Sequence, residues 1–266
     1  MTQELSFSQR FRQGSGSVGT VLAVLVAVLI GYLTYKIQDI EKRVVKIEKG
    51  GVTAQQEPPK AVDMAEVKKL FTKGNIVLGK PDSKVLFVEF SDPSCPFCHV
   101  ASGLNPEVSG DRFKTVASGG TYRPPVTEIR NLVEAGKAAF VVLYANGHGS
   151  GEIAAQALYC ANERGKYWDA HDLLYANAGY TLINEQVKND KSKSGEMAAY
   201  LSSAVEPTFM TECLSTGKYA KKLQEDQAKA QELGFGGTPM FLVNGERFNG
   251  AYNFADMEAT VTKFLQ

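Results

Sequence analysis

The chain has 266 residues, of which 44% are hydrophobic and 22% charged, and its 29 basic and 29 acidic side chains give a formal charge of zero. This composition is typical of a globular protein, and the absence of net positive charge argues against nucleic-acid binding. With 4 cysteines and 3 histidines, the chain has too few of these residues for a disulfide scaffold or a multi-metal enzyme.

The first predicted element is a transmembrane anchor over residues 13–35, which follows a short tail over residues 1–12. The 23 residues between Arg12 and Lys36 carry no charge, and as a helix they would span about 34 Å, slightly more than a bilayer core. A cleaved signal peptide is the alternative, but Gly31 to Tyr35 holds no convincing small-x-small cleavage site. Basic residues flank both ends, so they do not orient the anchor.

A stalk helix and a linker are expected over residues 36–61. From the end of the anchor onward, apolar residues recur at spacings of three and four, which fits either a short coiled coil or a helix on lipid headgroups: Leu33, Ile37, Ile40, Val44 and Ile47. The stretch from Gly50 to Pro59 is typical of a flexible linker. One globular domain is therefore expected over residues 62–266.

The first chemical motif of this domain lies at the end of a predicted strand. The largely apolar strand from Val85 to Phe90 leads into Cys95-Pro-Phe-Cys98, at the start of a predicted helix. A Cys-x-x-Cys in this position is typical of a thioredoxin-like redox site. Free backbone N–H groups and the helix dipole would stabilise the first thiolate, and Pro96 suits the first turn. Cys95 is thus expected to be an exposed nucleophile and Cys98 the more buried resolving thiol.

Three other kinds of site remain open for this motif. His99 completes the Cys-x-x-Cys-His signature of c-type haem, although the motif here caps a buried strand. A zinc site would need further ligands, and Cys160 and Cys213 are isolated cysteines. An inert structural disulfide fits poorly with a cysteine at a helix start.

The next segment, Ser102 to Pro125, contains four glycines and three prolines. It predicts an insertion broken into loops, which would either recognise a partner or form variable surface. A helix over residues 126–136 and a strand over 137–144 are expected to follow.

The second chemical motif is Thr238-Pro239, which follows a glycine-rich loop and opens an apolar strand. Such a proline suits a cis peptide bond. Asn244-Gly245 predicts a hairpin, with a returning strand over residues 246–251. A final helix over 253–266 would bury one stripe of side chains: Phe254, Met257, Val261 and Phe264.

The two motifs together, Val88 to His99 and Gly236 to Gly245, resemble the DsbA-type thiol-disulfide oxidoreductases of the bacterial cell envelope. The resemblance covers about residues 64–266 and includes predicted helices within 150–232. It implies an α/β, thioredoxin-like fold with an inserted α-helical domain, here preceded by one transmembrane helix. It also implies that Thr238-Pro239 is cis and close to the dithiol, where its loop binds substrate and discourages metal capture. We expect no cofactor and no metal.

The resemblance also suggests roles for individual residues. Cys95, Cys98 and Glu89 would be catalytic, whereas Thr238 and Pro239, with Pro96 and Phe97 of the redox motif, would contact substrate. Glu89 could instead mark a solvated strand edge; on a central strand, burial would raise its pKa and let it exchange a proton with Cys98.

One departure from the family concerns the strength of oxidation. Phe97 stands where the best-known oxidase motif has a histidine, which puts strong oxidation in doubt. His99 could supply part of the missing charge or simply face solvent.

The expected function is that of a membrane-tethered oxidase of cysteines in secreted or envelope proteins, on the outer side of a bacterial cell membrane. A DsbB-like or VKOR-like membrane protein would reoxidise it, as the resemblance implies. In that oxidising compartment Cys160 and Cys213 would form a structural disulfide; otherwise they would be buried free thiols. The alternatives for the whole chain are an envelope disulfide reductase or isomerase, or a non-catalytic module that binds unfolded peptides.

Overall fold

The structure is a computed structural model that describes residues 21–41 and 61–265. The chain divides into two compact units, Met1–Pro59 and Lys60–Gln266. The predicted N-terminal tail, the start of the predicted anchor and the predicted linker lie outside the described residues, as do Val44 and Ile47 of the heptad-like pattern.

The described part of the first unit is one helix, α1 (Val21–Glu41). Its most apolar 18-residue window has a mean hydropathy of 1.9, and it is long and apolar enough to cross a membrane. The helix is continuous from the predicted anchor into the predicted stalk, and Leu33, Ile37 and Ile40 are exposed along it.

The second unit is built on a mixed sheet of five strands within residues 61–265, in the order β1-β3-β2-β4-β5. Strands β2 and β3 run parallel, and the other three neighbouring pairs are antiparallel. The strand bounds are β1 (Ile76–Gly79), β2 (Val85–Ser91), β3 (Ala138–Tyr144), β4 (Met240–Val243) and β5 (Glu246–Asn249).

Helices cover both faces of this sheet, and residues 152–232, between β3 and β4, contribute α6 to α11. A π-helical turn, Leu182–Val187, follows α8. The helix bounds are α2 (Met64–Lys69), α3 (Pro96–Ser102), α4 (Pro106–Ser109), α5 (Pro125–Glu134), α6 (Glu152–Glu163), α7 (Tyr167–Tyr175), α8 (Asn177–Thr181), α9 (Ser194–Tyr200), α10 (Pro207–Ser215), α11 (Ala220–Glu232) and α12 (Phe254–Leu265).

Strand β2 lies in the middle of the sheet and is buried along its whole length. Because successive side chains of a strand point to opposite faces, Val85 and Phe87 pack in the apolar layer that holds Cys98, α5 and α12, whereas Leu86 and Val88 pack against α2. Glu89 lies two residues after Phe87, so its side chain points to the same face of the sheet. The carboxyl group of Glu89 is therefore on the face that packs against Cys98.

A disulfide joins Cys160 of α6 to Cys213 of α10, with their Cα atoms 6.3 Å apart. Both residues are buried in the apolar layer of the helical segment. This segment is thus held together by a covalent bond as well as by its packing.

The final helix differs from the prediction at its end. Phe254, Met257 and Val261 are buried, but Phe264 is 39% exposed, so its assignment to the buried stripe is wrong. Thr260 is buried instead, because its hydroxyl donates to Glu246 Oε2 at 2.8 Å. Hydrophobic periodicity does not predict this position as buried, because Thr260 is polar and its burial depends on the hydrogen bond to Glu246.

Candidate active site

The two cysteines lie where β2 ends and α3 begins. Cys95 has an extended conformation at the N-cap of α3, and Pro96 opens the first turn, where no N–H is needed. Both thiols are free. Cys98 is fully buried, and Cys95 is only 5% exposed, so the expectation of an exposed Cys95 is wrong. The cause is the opposite loop, which covers its sulfur.

This loop carries Thr238 and Pro239, joined by a cis peptide bond. The Sγ atom of Cys95 lies 3.4 Å from the carbonyl oxygen of Thr238 and donates to it when protonated. Strand β4 begins one residue after Pro239 and pairs with β2, which brings the two sequence motifs to the same edge of the sheet. The structure thus joins the two segments that the sequence analysis assigned to one site.

The two thiols have opposite acidities. The pKa of Cys95 is lowered from 9.0 to about 6, first by a hydrogen bond from the Cys98 thiol and then by Thr238 and the N–H groups of Cys98 and Phe97, although burial opposes the shift. The pKa of Cys98 is raised well above 9.0, mainly by burial and then by the neighbouring Cys95 and Glu89. Cys95 is therefore the sulfur that ionises first, and Cys98 keeps its proton at neutral pH.

Glu89 lies inside the protein, 3% exposed, on the central strand. Burial raises its pKa from 4.5 to about 7, the charge on Cys95 adds to the rise, and a hydrogen bond from Ser91 reduces it. The alternative of a solvated strand edge is wrong for this residue. A carboxyl group that is half protonated at neutral pH can both give and take a proton.

His99 follows the dithiol and is fully buried. Burial lowers its pKa to about 4, so the ring is neutral at pH 7. Its Nε2 atom lies 2.8 Å from the carbonyl oxygen of Pro93 and its Nδ1 atom 3.0 Å from that of Tyr175; the neutral ring carries one N–H and donates to one of these two oxygens. Both expectations for His99, a positive charge near Cys95 and a solvent-facing ring, are therefore wrong; the ring ties α3 to its surroundings.

Phe97, between the cysteines, is the exposed side chain of the motif, with 49% of its surface accessible. The centroids of the Phe97 and Phe113 rings lie 6.3 Å apart in an edge-on arrangement, and the centroids of the Phe113 and Tyr122 rings lie 5.2 Å apart. Phe113 and Tyr122 belong to the predicted insertion, which is built from α4 and short 3₁₀ turns. The insertion therefore places the half-buried ring of Phe113 beside the redox motif, with the buried Tyr122 behind it, a contact that the sequence gives no signal to find.

Asp92 is a site residue that the sequence analysis missed. Its carboxylate is fully buried and accepts from the N–H groups of Gly147 and His148, each at 2.8 Å, and from Ser94. The signal was present, because Asp followed two residues later by Ser is typical of a side chain that closes a turn. Asp92 fixes the loop over residues 146–149 beside the dithiol.

Comparison with known proteins agrees with this geometry. A family model described as Thioredoxin matches residues 126–263, just over half of the chain. Disulfide bond formation protein D of Bacillus subtilis is 24% identical over 199 residues, which cover 73% of this chain and 78% of that protein. Na(+)/H(+) antiporter NhaA 1 of Salinispora arenicola is 26% identical over 187 residues, which cover 70% of this chain. The chain spans only 24% of the length of the first curated relatives it matches.

The solved structure of oxidised BdbD from Bacillus subtilis has the same fold, with a TM-score of 0.54 and 22% identity over 72% of this chain and 93% of that one. The thioredoxin-like fold that the sequence analysis predicted is therefore confirmed.

Proposed function

The chain belongs to the thioredoxin family, and on that premise we propose that it is a thiol-disulfide oxidoreductase whose Cys95–Cys98 pair alternates between dithiol and disulfide. The observation that carries the proposal is the place of the Cys95 sulfur, at the N-terminus of α3 and 3.4 Å from the carbonyl oxygen beside cis Pro239. With a pKa of about 6, this sulfur is mostly thiolate at pH 7, and the thiolate is the reactive form.

In the oxidising direction, a substrate thiolate attacks Cys95 of the disulfide form. A mixed disulfide forms, the Cys95–Cys98 bond breaks, and Cys98 leaves as a thiolate. Because its pKa is high, this buried thiolate takes a proton, which Glu89 can supply. A second substrate thiolate then attacks the substrate sulfur of the mixed disulfide. The substrate disulfide forms, Cys95 leaves as a stable thiolate, and two electrons remain on the protein's dithiol.

The acidity of Cys95 favours this direction. A pKa of about 6 instead of 9.0 stabilises the reduced form at pH 7 by about 1.4 kcal/mol, which makes the disulfide about 30 mV more oxidising. Phe97 supplies no charge to increase this effect. We therefore propose an oxidase of moderate strength.

The substrates we propose are cysteine-containing secreted or unfolded polypeptides. Pro96 and the exposed ring of Phe97 would contact the substrate on one side of the dithiol, and the backbone of Thr238 and Pro239 on the other. The carbonyl of Pro239 already accepts from the N–H of Gly250 at 2.8 Å, so the main-chain groups that would pair with an extended peptide are those of Thr238.

Tethering to the outer face of a bacterial membrane is part of the proposal. Helix α1 has the length and hydropathy of a single span, and the Cys160–Cys213 disulfide suits an oxidising compartment. Reoxidation by a DsbB-like or VKOR-like membrane protein would complete the cycle. The anchor would confine both proteins to one surface and raise their effective concentration.

The test uses the full chain in detergent micelles, with a fluorescent peptide that carries two cysteines and with glutathione disulfide as oxidant. The expected result is catalysed peptide oxidation that Cys95→Ser abolishes, with little reduction of insulin by the dithiol form. Strong insulin reduction without peptide oxidation would contradict the oxidase direction and favour a reductase. Peptide binding without turnover in either assay would contradict the enzyme and favour a binding module.

A further inference from the structure

A groove of about 840 Å³ lies beside the candidate active site, between α11, the start of α6 and the loop over residues 146–149. Its volume is in the range of ligand sites in proteins. Helix α11 turns one face towards it, because the residues that line it recur at spacings of three and four: Ala220, Leu223, Gln224, Gln227, Ala228 and Gln231. This face offers three glutamine side chains beside two alanines and one leucine.

The walls of the groove are fixed by hydrogen bonds, two of which are buried. Asp226 of α11 is 1% exposed, and its Oδ2 accepts from the backbone N–H of Tyr144 at 3.1 Å and from the hydroxyl of Tyr159 at 2.5 Å. Gln227 accepts from the backbone N–H of Asn146 at 2.5 Å. These contacts pin α11 against the end of β3 and against the 146–149 loop. The groove is therefore a preformed feature of the fold.

Two polar atoms of the lining residues lack hydrogen-bond partners within the described part of the chain. They are Oε1 of Gln156, a residue that is 4% exposed, and the hydroxyl of Tyr144, which is 5% exposed. Both atoms are shielded from solvent, so they belong to the floor of the groove rather than to its open surface. The lining residues include no lysine or arginine and a single carboxylate, Glu152. The ligand is therefore expected to be polar and uncharged.

The groove shares a wall with the proposed substrate-binding loop. Gly147 lines the groove, and a Cβ atom at this position would come within 1.8 Å of the Thr238 hydroxyl, so the two loops touch there. Asp92, three residues before Cys95, holds the same glycine through its N–H. A polypeptide joined to Cys95 can therefore extend over residue 147 into the groove without leaving the surface.

We propose that this groove holds an extended, uncharged segment of the substrate polypeptide, whose main-chain amide groups pair with the exposed side chains of Gln224 and Gln231. An amide side chain offers one donor group and one acceptor, which match the C=O and N–H of a peptide bond. The inference rests on the proposed function. It extends that function by assigning a subsite that selects for the chain flanking the reactive cysteine rather than for the cysteine itself.

The test compares three dithiol peptides on the full chain: a short one, and two that carry six additional serine, glycine and asparagine residues on the N-terminal or the C-terminal side of the cysteines. The wild-type protein is expected to oxidise one extended peptide with a KM about 10-fold lower than that of the short peptide, as two additional hydrogen bonds would give. Gln224→Ala/Gln231→Ala should remove this preference without changing turnover of the short peptide.

The matched control is Lys221→Ala/Glu225→Ala, on the exposed outer face of the same helix, which should keep the preference. Equal KM values for all three peptides on the wild-type protein would overturn the subsite while leaving the proposed function intact. An equal loss of preference in both double variants would overturn the assignment to the glutamines. Failure of the wild-type protein to oxidise even the short peptide would overturn the proposed function and this inference with it.

Discussion

The pH dependence of the redox potential should have a break near pH 6. Below the pKa of Cys95, reduction of the disulfide takes up two protons with two electrons, so the potential falls by about 59 mV per pH unit. Above it, only Cys98 is protonated, because burial keeps its pKa high, and the slope falls to about 30 mV per unit. If the first thiol kept its ordinary pKa of 9.0, the steeper slope would continue to pH 9.

The assay equilibrates the full chain with glutathione buffers between pH 5 and pH 8, followed by acid quenching, alkylation and mass analysis of the two redox forms. Glu89→Gln serves as the control background, since the wild-type carboxyl group titrates at about 7 and can add a smaller proton uptake of its own. A single slope near 59 mV per unit throughout the range would refute the assignment of a stabilised Cys95 thiolate. A break near pH 6 in both backgrounds would support it.

Three variants test other parts of the site and the fold. Glu89→Gln should slow reduction of the disulfide by dithiothreitol about 10²-fold and remove the inflection near pH 7, as stopped-flow fluorescence would show; an unchanged profile would exclude a role in proton transfer. Thr238→Val removes the side-chain hydroxyl that lowers the pKa of the first thiol, so alkylation should titrate at higher pH, and an unshifted titration would show that only the backbone matters. Cys160→Ala/Cys213→Ala should cost about 4 kcal/mol of unfolding free energy in guanidinium titrations while the thiol titration stays the same; a loss below about 1 kcal/mol would contradict a structural role for the disulfide.

The two redox motifs could be placed from the sequence because each has a local physical signature. Cys95 follows an apolar strand and precedes a helix that begins with proline, and Pro239 opens a second apolar strand after a glycine-rich loop. The structure brings the two motifs together because strands β2 and β4 pair directly. The hairpin at Asn244-Gly245 was predictable for the same reason, and it is the turn between β4 and β5.

The misplaced residues depend on contacts that are distant in sequence. Whether His99 is buried or exposed depends on Tyr175, 76 residues away, whose carbonyl oxygen lies 3.0 Å from Nδ1. The low exposure of Cys95 depends on the loop at Thr238, 143 residues away. Helical periodicity predicts that Phe264 is buried. The residue is exposed, because it lies in the last turn of the helix. Local pattern therefore places the reactive groups, while tertiary packing sets their exposure and charge.

The most direct test of the account is a titration of the Cys95 thiolate by its absorbance near 240 nm in the reduced full chain, with Cys95→Ser as the blank. One thiol is expected to titrate with a midpoint close to pH 6, while the second stays protonated beyond pH 9. A midpoint close to 9 for the first thiol, or equal acidity of the two, would contradict it.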